Sequence, residues 1–246
     1  MSNTRTVTTA AALGACVALA GCSGAPVDER PVVRIVEAAQ PSQATPLGQF
    51  LPSTEELAAT LGTGPDGFAG QLVEGDAEML LRNVTGAEAT PPDCVGTAYR
   101  LQEIVYGASP VQSVTSSSWA GGDFSGPPVS ASFGVVQMAS AADAEEFFAA
   151  TTGDWRRCNG QTVVVQHPGT VDQVSRISDV GFDRRVVSAN VLHASGASAS
   201  PPAMRALGLV DDCIVDVELS DPRAAGGASP AVGVAELILD KIAAQR

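Results

Sequence analysis

Residues 129 to 158 read "VSASFGVVQMASAADAEEFFAATTGDWRRC", and two different periods meet inside this one stretch. In its first ten residues Val129, Ala131, Phe133 and Val135 alternate with Ser130, Ser132 and Gly134, the period of two that a half-buried antiparallel strand requires. From Ser140 the period changes. Ala144, Phe147, Phe148, Thr151 and Trp155 form one helical stripe, Ser140 stands as N-cap, and Asp143 and Glu145 lie near the positive end of the helix dipole. A strand running directly into an amphipathic helix, each with one apolar face, needs a sheet with helices laid on it.

The surrounding sequence repeats both signals. "TVVVQ", "DQVSRI", "RRVVSANVL" and "DCIVDVEL" are rich in β-branched residues and read as further strands. Ser53 and Glu56 in "STEELAATLG" make a capping box, so a short helix is expected from there to Gly62. A second helix is expected to begin near Asp93, after Pro91 and Pro92, with Ala98, Leu101, Gln102 and Val105 at helical spacing. Val234 to Ala244 form a last helix, with Val234, Leu237, Ile238 and Ile242 on one face. Strands gathered in the second half, with helices early, in the middle and at the end, predict an α+β sandwich: a curved antiparallel sheet with helices packed on it.

Upstream of this domain the chain carries an address. Arg5, the apolar run Ala10 to Ala20 and the small pair Gly21 and Cys22 have the layout of a secretory signal, and the run is about half the 20 residues that a membrane span needs. "LAGC" at residues 19 to 22 resembles the bacterial lipobox, which implies cleavage before Cys22 and a diacylglycerol on its sulfur. The alternative is an ordinary cleaved signal with an accidental cysteine. The expected organisation is a signal peptide at 1–21, a lipid-anchored tether at 22–49 with prolines at 26, 31, 41 and 46, and one domain at 50–246. The expected location is the outer face of the cell membrane.

Charge narrows the partners. The chain has 14 basic and 27 acidic residues; cleavage before Cys22 removes Arg5 and no acid, leaving 13 against 27 and a formal charge of −14. Lys241 is the sole lysine, so the clustered cations that bind phosphate backbones are missing and nucleic acid is not an expected partner. Contact with the membrane is expected through the anchor.

Catalytic patterns are not found. There is no G-x-S-x-G elbow, no Ser-x-x-Lys pair and no phosphate loop between a strand and a helix. His167 and His193 lack the companions of zinc motifs and read as surface or loop residues, so no metal and no cofactor is expected. The loops Gly121 to Pro128 and Gly196 to Pro202 are the expected rims of a cleft, and Trp119, at a strand end beside the first, is the candidate ligand contact; the alternative for its ring is packing at the core margin.

Beyond residue 22 stand Cys94, Cys158 and Cys213. An exported domain meets an oxidising compartment, so one disulfide is expected, and spacing alone does not choose the pair. Cys213 shares parity with Val215, Val217 and Leu219, which points its thiol to an apolar face. "PPDC" opening a helix, the strand and helix of "FGVVQMASAADAEEFF", "DWRRC" and a final helix after "VDVEL" together resemble the extracellular sensor domain of PknH-type mycobacterial serine/threonine kinases, a domain also found alone on actinobacterial lipoproteins. The resemblance covers about residues 50 to 246, and its specific parts are Cys94 and Trp155-x-x-Cys158. It implies a Cys94–Cys158 bridge, lacks the family's usual second disulfide, and implies a non-catalytic sensor binding an unknown envelope ligand or protein. An interaction or structural lipoprotein without a small ligand is the second expectation, and an enzyme the third.

Overall fold

The computed structural model describes residues 46 to 246 other than 65, 123–128, 167, 168, 170, 197 and 224–228. The lipobox with Cys22, the tether as far as residue 45, His167 and most of the Gly121–Pro128 loop lie outside the described residues.

Among the described residues the sheet has eleven strands. Short strands β1 (Gly67–Ala69), β2 (Val73–Gly75) and β3 (Ala89–Thr90) come first, then the long β4 (Val111–Gly121) and β5 (Val129–Met138). Helix α4 (Ala141–Cys158) follows α1 (Thr54–Leu61), α2 (Val95–Ala98) and α3 (Glu103–Tyr106). Beyond it come β6 (Thr162–Val165), β7 (Gln173–Asp183), β8 (Val186–Ser195), β9 (Ser198–Ala199), β10 (Ala203–Val210), β11 (Cys213–Ser220) and α5 (Pro230–Gln245). The order is β1-β4-β5-β11-β10-β8-β7-β6-β3, with β2 on β4 and β9 on β8. After the β4–β5 hairpin, α4 carries the chain across the sheet, and the meander from β6 onward returns until β11 lies antiparallel to β5.

Helices cover both faces. Along β11 the odd positions Cys213, Val215, Val217 and Leu219 join Val234, Ile238, Leu239 and Ile242 of α5 in one core. Each of these α5 side chains is fully buried, contributing about 1.5–3 kcal/mol apiece. Ile214 on the even parity joins Val187, Leu207, Phe147 and Trp155 in a second core under α4. Because both faces are covered, β5 is buried at all four of Phe133, Gly134, Val135 and Val136, where its alternation predicts a half-buried strand.

The local signals formed as read. Ser53 Oγ accepts from the Glu56 amide while Glu56 Oε2 accepts from the Ser53 amide at 2.7 Å, and Ser140 caps α4 by accepting from the Asp143 amide. Glu56 also binds Lys241 Nζ at 2.8 Å, so the only lysine of the chain joins α5 to α1.

The expected single helix after Pro92 does not form. It breaks between α2 and α3, where Leu101 has φ 50. The amides that would continue the helix are taken elsewhere: Leu101 N–H donates to Asp216 Oδ2 at 2.8 Å and Glu103 N–H to the Leu81 carbonyl at 2.7 Å. Strand β10, "AMRALGLV", carries no strand signal in sequence and is nonetheless a central strand between β8 and β11. Helix α5 begins at Pro230, four residues before the expected start, with the proline in the first turn.

Candidate functional site

The crossing segment from Pro92 to Tyr106 lies over the α4 face of the sheet, and buried charges hold it there. Arg205 and Asp216 are ion-paired at 2.8 Å, and Arg205 also donates to the carbonyls of Gly96 (3.1 Å), Thr97 (3.4 Å) and Val217 (3.0 Å). Asp216 accepts from the Leu101 amide and from Tyr106 Oη at 3.0 Å. Burial, with the adjacent carboxylate, raises the Tyr106 hydroxyl well above the ordinary tyrosine range, so it stays a donor.

Between this segment and α4 lies a cleft of about 480 Å³. One end is pinned by the disulfide Cys94–Cys158, which joins the segment to the last residue of α4. Tyr106 stacks on Phe147 at 4.6 Å between centroids. Ile104, Val105 and Phe147 supply apolar lining, while the charged residues of the wall are all acidic: Asp93, Asp143, Glu146 and Asp154. Asp154 pairs with Arg157, yet burial, helped by Asp93, holds its carboxyl above the usual range. Two further lining residues, Thr97 and Trp155, each bury a polar atom, Oγ1 and Nε1, that has no hydrogen-bond partner in the protein.

A second concavity of about 420 Å³ is lined by Tyr99 of the same segment and by β7, β8, β10 and β11. Its floor holds a chain of three groups: Tyr99 Oη to Ser175 Oγ at 2.7 Å, and Ser175 Oγ to His193 Nδ1 at 2.8 Å. Ser175 and His193 are register partners on β7 and β8. Burial is the main cause that lowers the His193 pKa; Glu218 pulls it up and Arg205 pushes it down. His193 is therefore a half-buried strand residue and not the surface or loop histidine expected from sequence. The Gly196–Pro202 loop does form a rim here, through Ser198, Ser200 and Pro201.

Trp119 lies elsewhere, on β4 within the α5-side core and 2% exposed. Its ring rests on the backbone of Gly121 and of Gly67, the residue paired with Gly121, and its Nε1 has no partner. Cys213 is buried and unpaired, and burial pushes its thiol up to about 12, where it is inert. Among the described residues no group of three or more His, Cys, Asp or Glu side chains is gathered as metal ligands, and no helix is long and apolar enough to cross a membrane.

A covered antiparallel sheet, with a disulfide joining the crossing segment to the end of α4 and a cleft between them, defines a small α+β domain. The model of the PknH-like extracellular domain matches residues 42–241, and the chain belongs to that family of sensor-type domains. The crystal structure of the extracellular domain of PknH from Mycobacterium tuberculosis aligns with a TM-score of 0.67 at 21% identity, covering 82% of this chain and 99% of that one. That likeness shows the shared fold. A putative uncharacterized protein from Mycobacterium smegmatis aligns with a TM-score of 0.40 at 11% identity, over 78% of this chain and 96% of that one. No curated protein matches the sequence.

Proposed function

We propose that this chain is a lipid-anchored sensor domain of the cell envelope that binds a cationic ligand with an apolar body in the cleft between α4 and the Pro92–Tyr106 segment. One observation carries the reading: the cleft wall combines apolar side chains with acids as its only charged residues. The strongly negative charge of the chain, −13, also favours a cation at long range. No catalytic step is assigned.

The test is thermal unfolding with spermine, N-dodecyl spermine and the neutral amide of the same chain. The alkylated cation should stabilise most, by about 2.7 kcal/mol at a hundred times its dissociation constant. Loss of the effect in Asp143→Asn/Glu146→Gln places it in the cleft. Equal stabilisation by the neutral amide, or none by either cation, defeats the reading.

The alternative, an envelope protein that binds another protein, is favoured by a cluster on the edge strands: Phe68 is 83% exposed, Leu72 48% and Val73 39%. A protein partner recovered by the wild type and lost with Phe68→Ser, together with no response to cations, would decide for it.

A further inference from the structure

The concavity floored by Tyr99, Ser175 and His193 differs in chemistry from the cleft. Six of its lining residues carry hydroxyls, Tyr99, Ser175, Ser195, Ser198, Ser200 and Ser220, and Gln173 adds an amide. Glu218 is its only lining residue with a formal charge at neutral pH, since His193 is held neutral by burial. Arg100, which does not line the space, is near enough to feel the Glu218 charge. A carboxylate with a guanidinium nearby attracts a bare cation less strongly than a lone one, and its own charge opposes an anion. Val174, Ala194, Pro201 and Ala203 add apolar wall beside these polar groups, a surface that suits the C–H face of a ring as well as its hydroxyls.

The Tyr99–Ser175–His193 chain is invertible. With neutral His193 the hydrogens run from Tyr99 to Ser175 to Nδ1; with the other tautomer they run from Nδ1 to Ser175 to Tyr99. Nε2, which has no bonding partner among the described residues, is accordingly a donor in the first case and an acceptor in the second. A ligand hydroxyl, itself donor and acceptor, suits either state. Glu218, a carboxylate in the lining, can accept from paired hydroxyls of a ligand, with bonds roughly twice as strong as neutral ones. Tyr99, tilted against His193 at 5.4 Å and 38°, offers an aromatic face at the wall for the C–H face of a ring.

We propose that this concavity, ringed by the Ser198–Pro201 rim and floored by the Tyr99–Ser175–His193 chain, is a binding site for a neutral sugar unit of a glycan. Its volume lies in the range of about 300–1,000 Å³ that small-ligand sites occupy. The site is separate from the cleft, so its test does not depend on the cation reading.

The test uses the full chain carrying Cys22→Ser, with His193 imidazole and Tyr99 ring signals followed by NMR. Neutral hexasaccharides of glucose, mannose and galactose are titrated beside a polyuronate of equal length. At least one neutral sugar should shift both signals saturably, while the polyuronate does not. Glu218→Gln keeps the shape of the side chain and removes the charge, and should weaken binding about tenfold. Gln173→Ala, an exposed change, should weaken it as well without disturbing the fold. The same sugar as an alkyl glycoside below its critical micelle concentration separates the sources: equal affinity indicates a glycan chain, and a large gain from the alkyl group a glycolipid. No shift with any neutral sugar, equal binding of the polyuronate, or binding unchanged in both variants overturns the proposal.

Discussion

Arg205 and Asp216 lie on neighbouring strands, 2.8 Å apart, with 0% and 2% of their side chains exposed, and between them they bind five backbone or hydroxyl groups. Four of the five belong to the crossing segment; the fifth is the carbonyl of Val217. The pair thus fastens to the sheet the segment that borders both concavities.

Removing one partner leaves the other charge buried and alone. Arg205→Met or Asp216→Leu is expected to cost about 3–5 kcal/mol in urea unfolding, while the double replacement by apolar residues should cost much less than the sum. Additive single and double effects would show that the two charges act independently.

The disulfide closes a separation of 64 residues. In the chain-entropy account Cys94→Ser/Cys158→Ser should lower stability by about 4 kcal/mol, and peptide mapping without reduction should find these two residues linked and Cys213 alkylated only after denaturation. A Cys158–Cys213 link would contradict the fold described here.

His193 titrates below its ordinary value of 6.5 in the folded protein, so the unfolded chain takes up the proton first. Its contribution to stability is complete above about pH 6.5 and is lost as the pH falls through 6.5 toward the lower folded value. The difference in unfolding free energy between wild type and His193→Gln, followed from pH 8 to pH 5, should shrink toward acid. Glu56 and Asp221, whose carboxyls are held low by Lys241 and Arg223, lose their contributions at still lower pH and cancel in that difference. A difference independent of pH would refute the assignment.

A methyl added at Gly121 would sit 2.2 Å from the ring carbons of Trp119, and one at Gly67 2.3 Å from Nε1. Gly121→Ala should therefore cost about 1–3 kcal/mol by forcing the ring from its place, and Trp119→Ala about 3–5 kcal/mol by emptying it. The two losses combined should be smaller than their sum, read by denaturant midpoints.

Cys22→Ser should move the mature protein from the detergent phase to the aqueous phase of a detergent partition, or leave the precursor uncleaved. A variant that stays in the detergent phase like the wild type would remove the lipid-anchor proposal.

What the chain by itself determined is local. The capping box of Ser53 and Glu56, the Ser140 cap and the apolar stripe from Ala144 to Trp155 are set by neighbours within a few residues and formed as read, and the alternation from Val129 to Val135 gave the strand, though one buried on both faces from Phe133 to Val136. The Gly196–Pro202 stretch was legible as a break between strands from its Gly, Ser and Pro content, although Ser198 and Ala199 pair with β8 as the short β9. The tertiary structure alone decided the rest. The helix after Pro92 breaks because Asp216, 115 residues away, captures the Leu101 amide, and β10 is a strand despite its helix-forming Ala-Met-Arg-Ala-Leu because β8 and β11 bond it on both sides. Trp119 became a buried ring because two facing glycines open a slot for it. His193 met Ser175 through the register of β7 and β8 and Tyr99 through the crossing segment, contacts 18 and 76 residues apart between Ser175 and its two partners, which no pattern along the chain encodes.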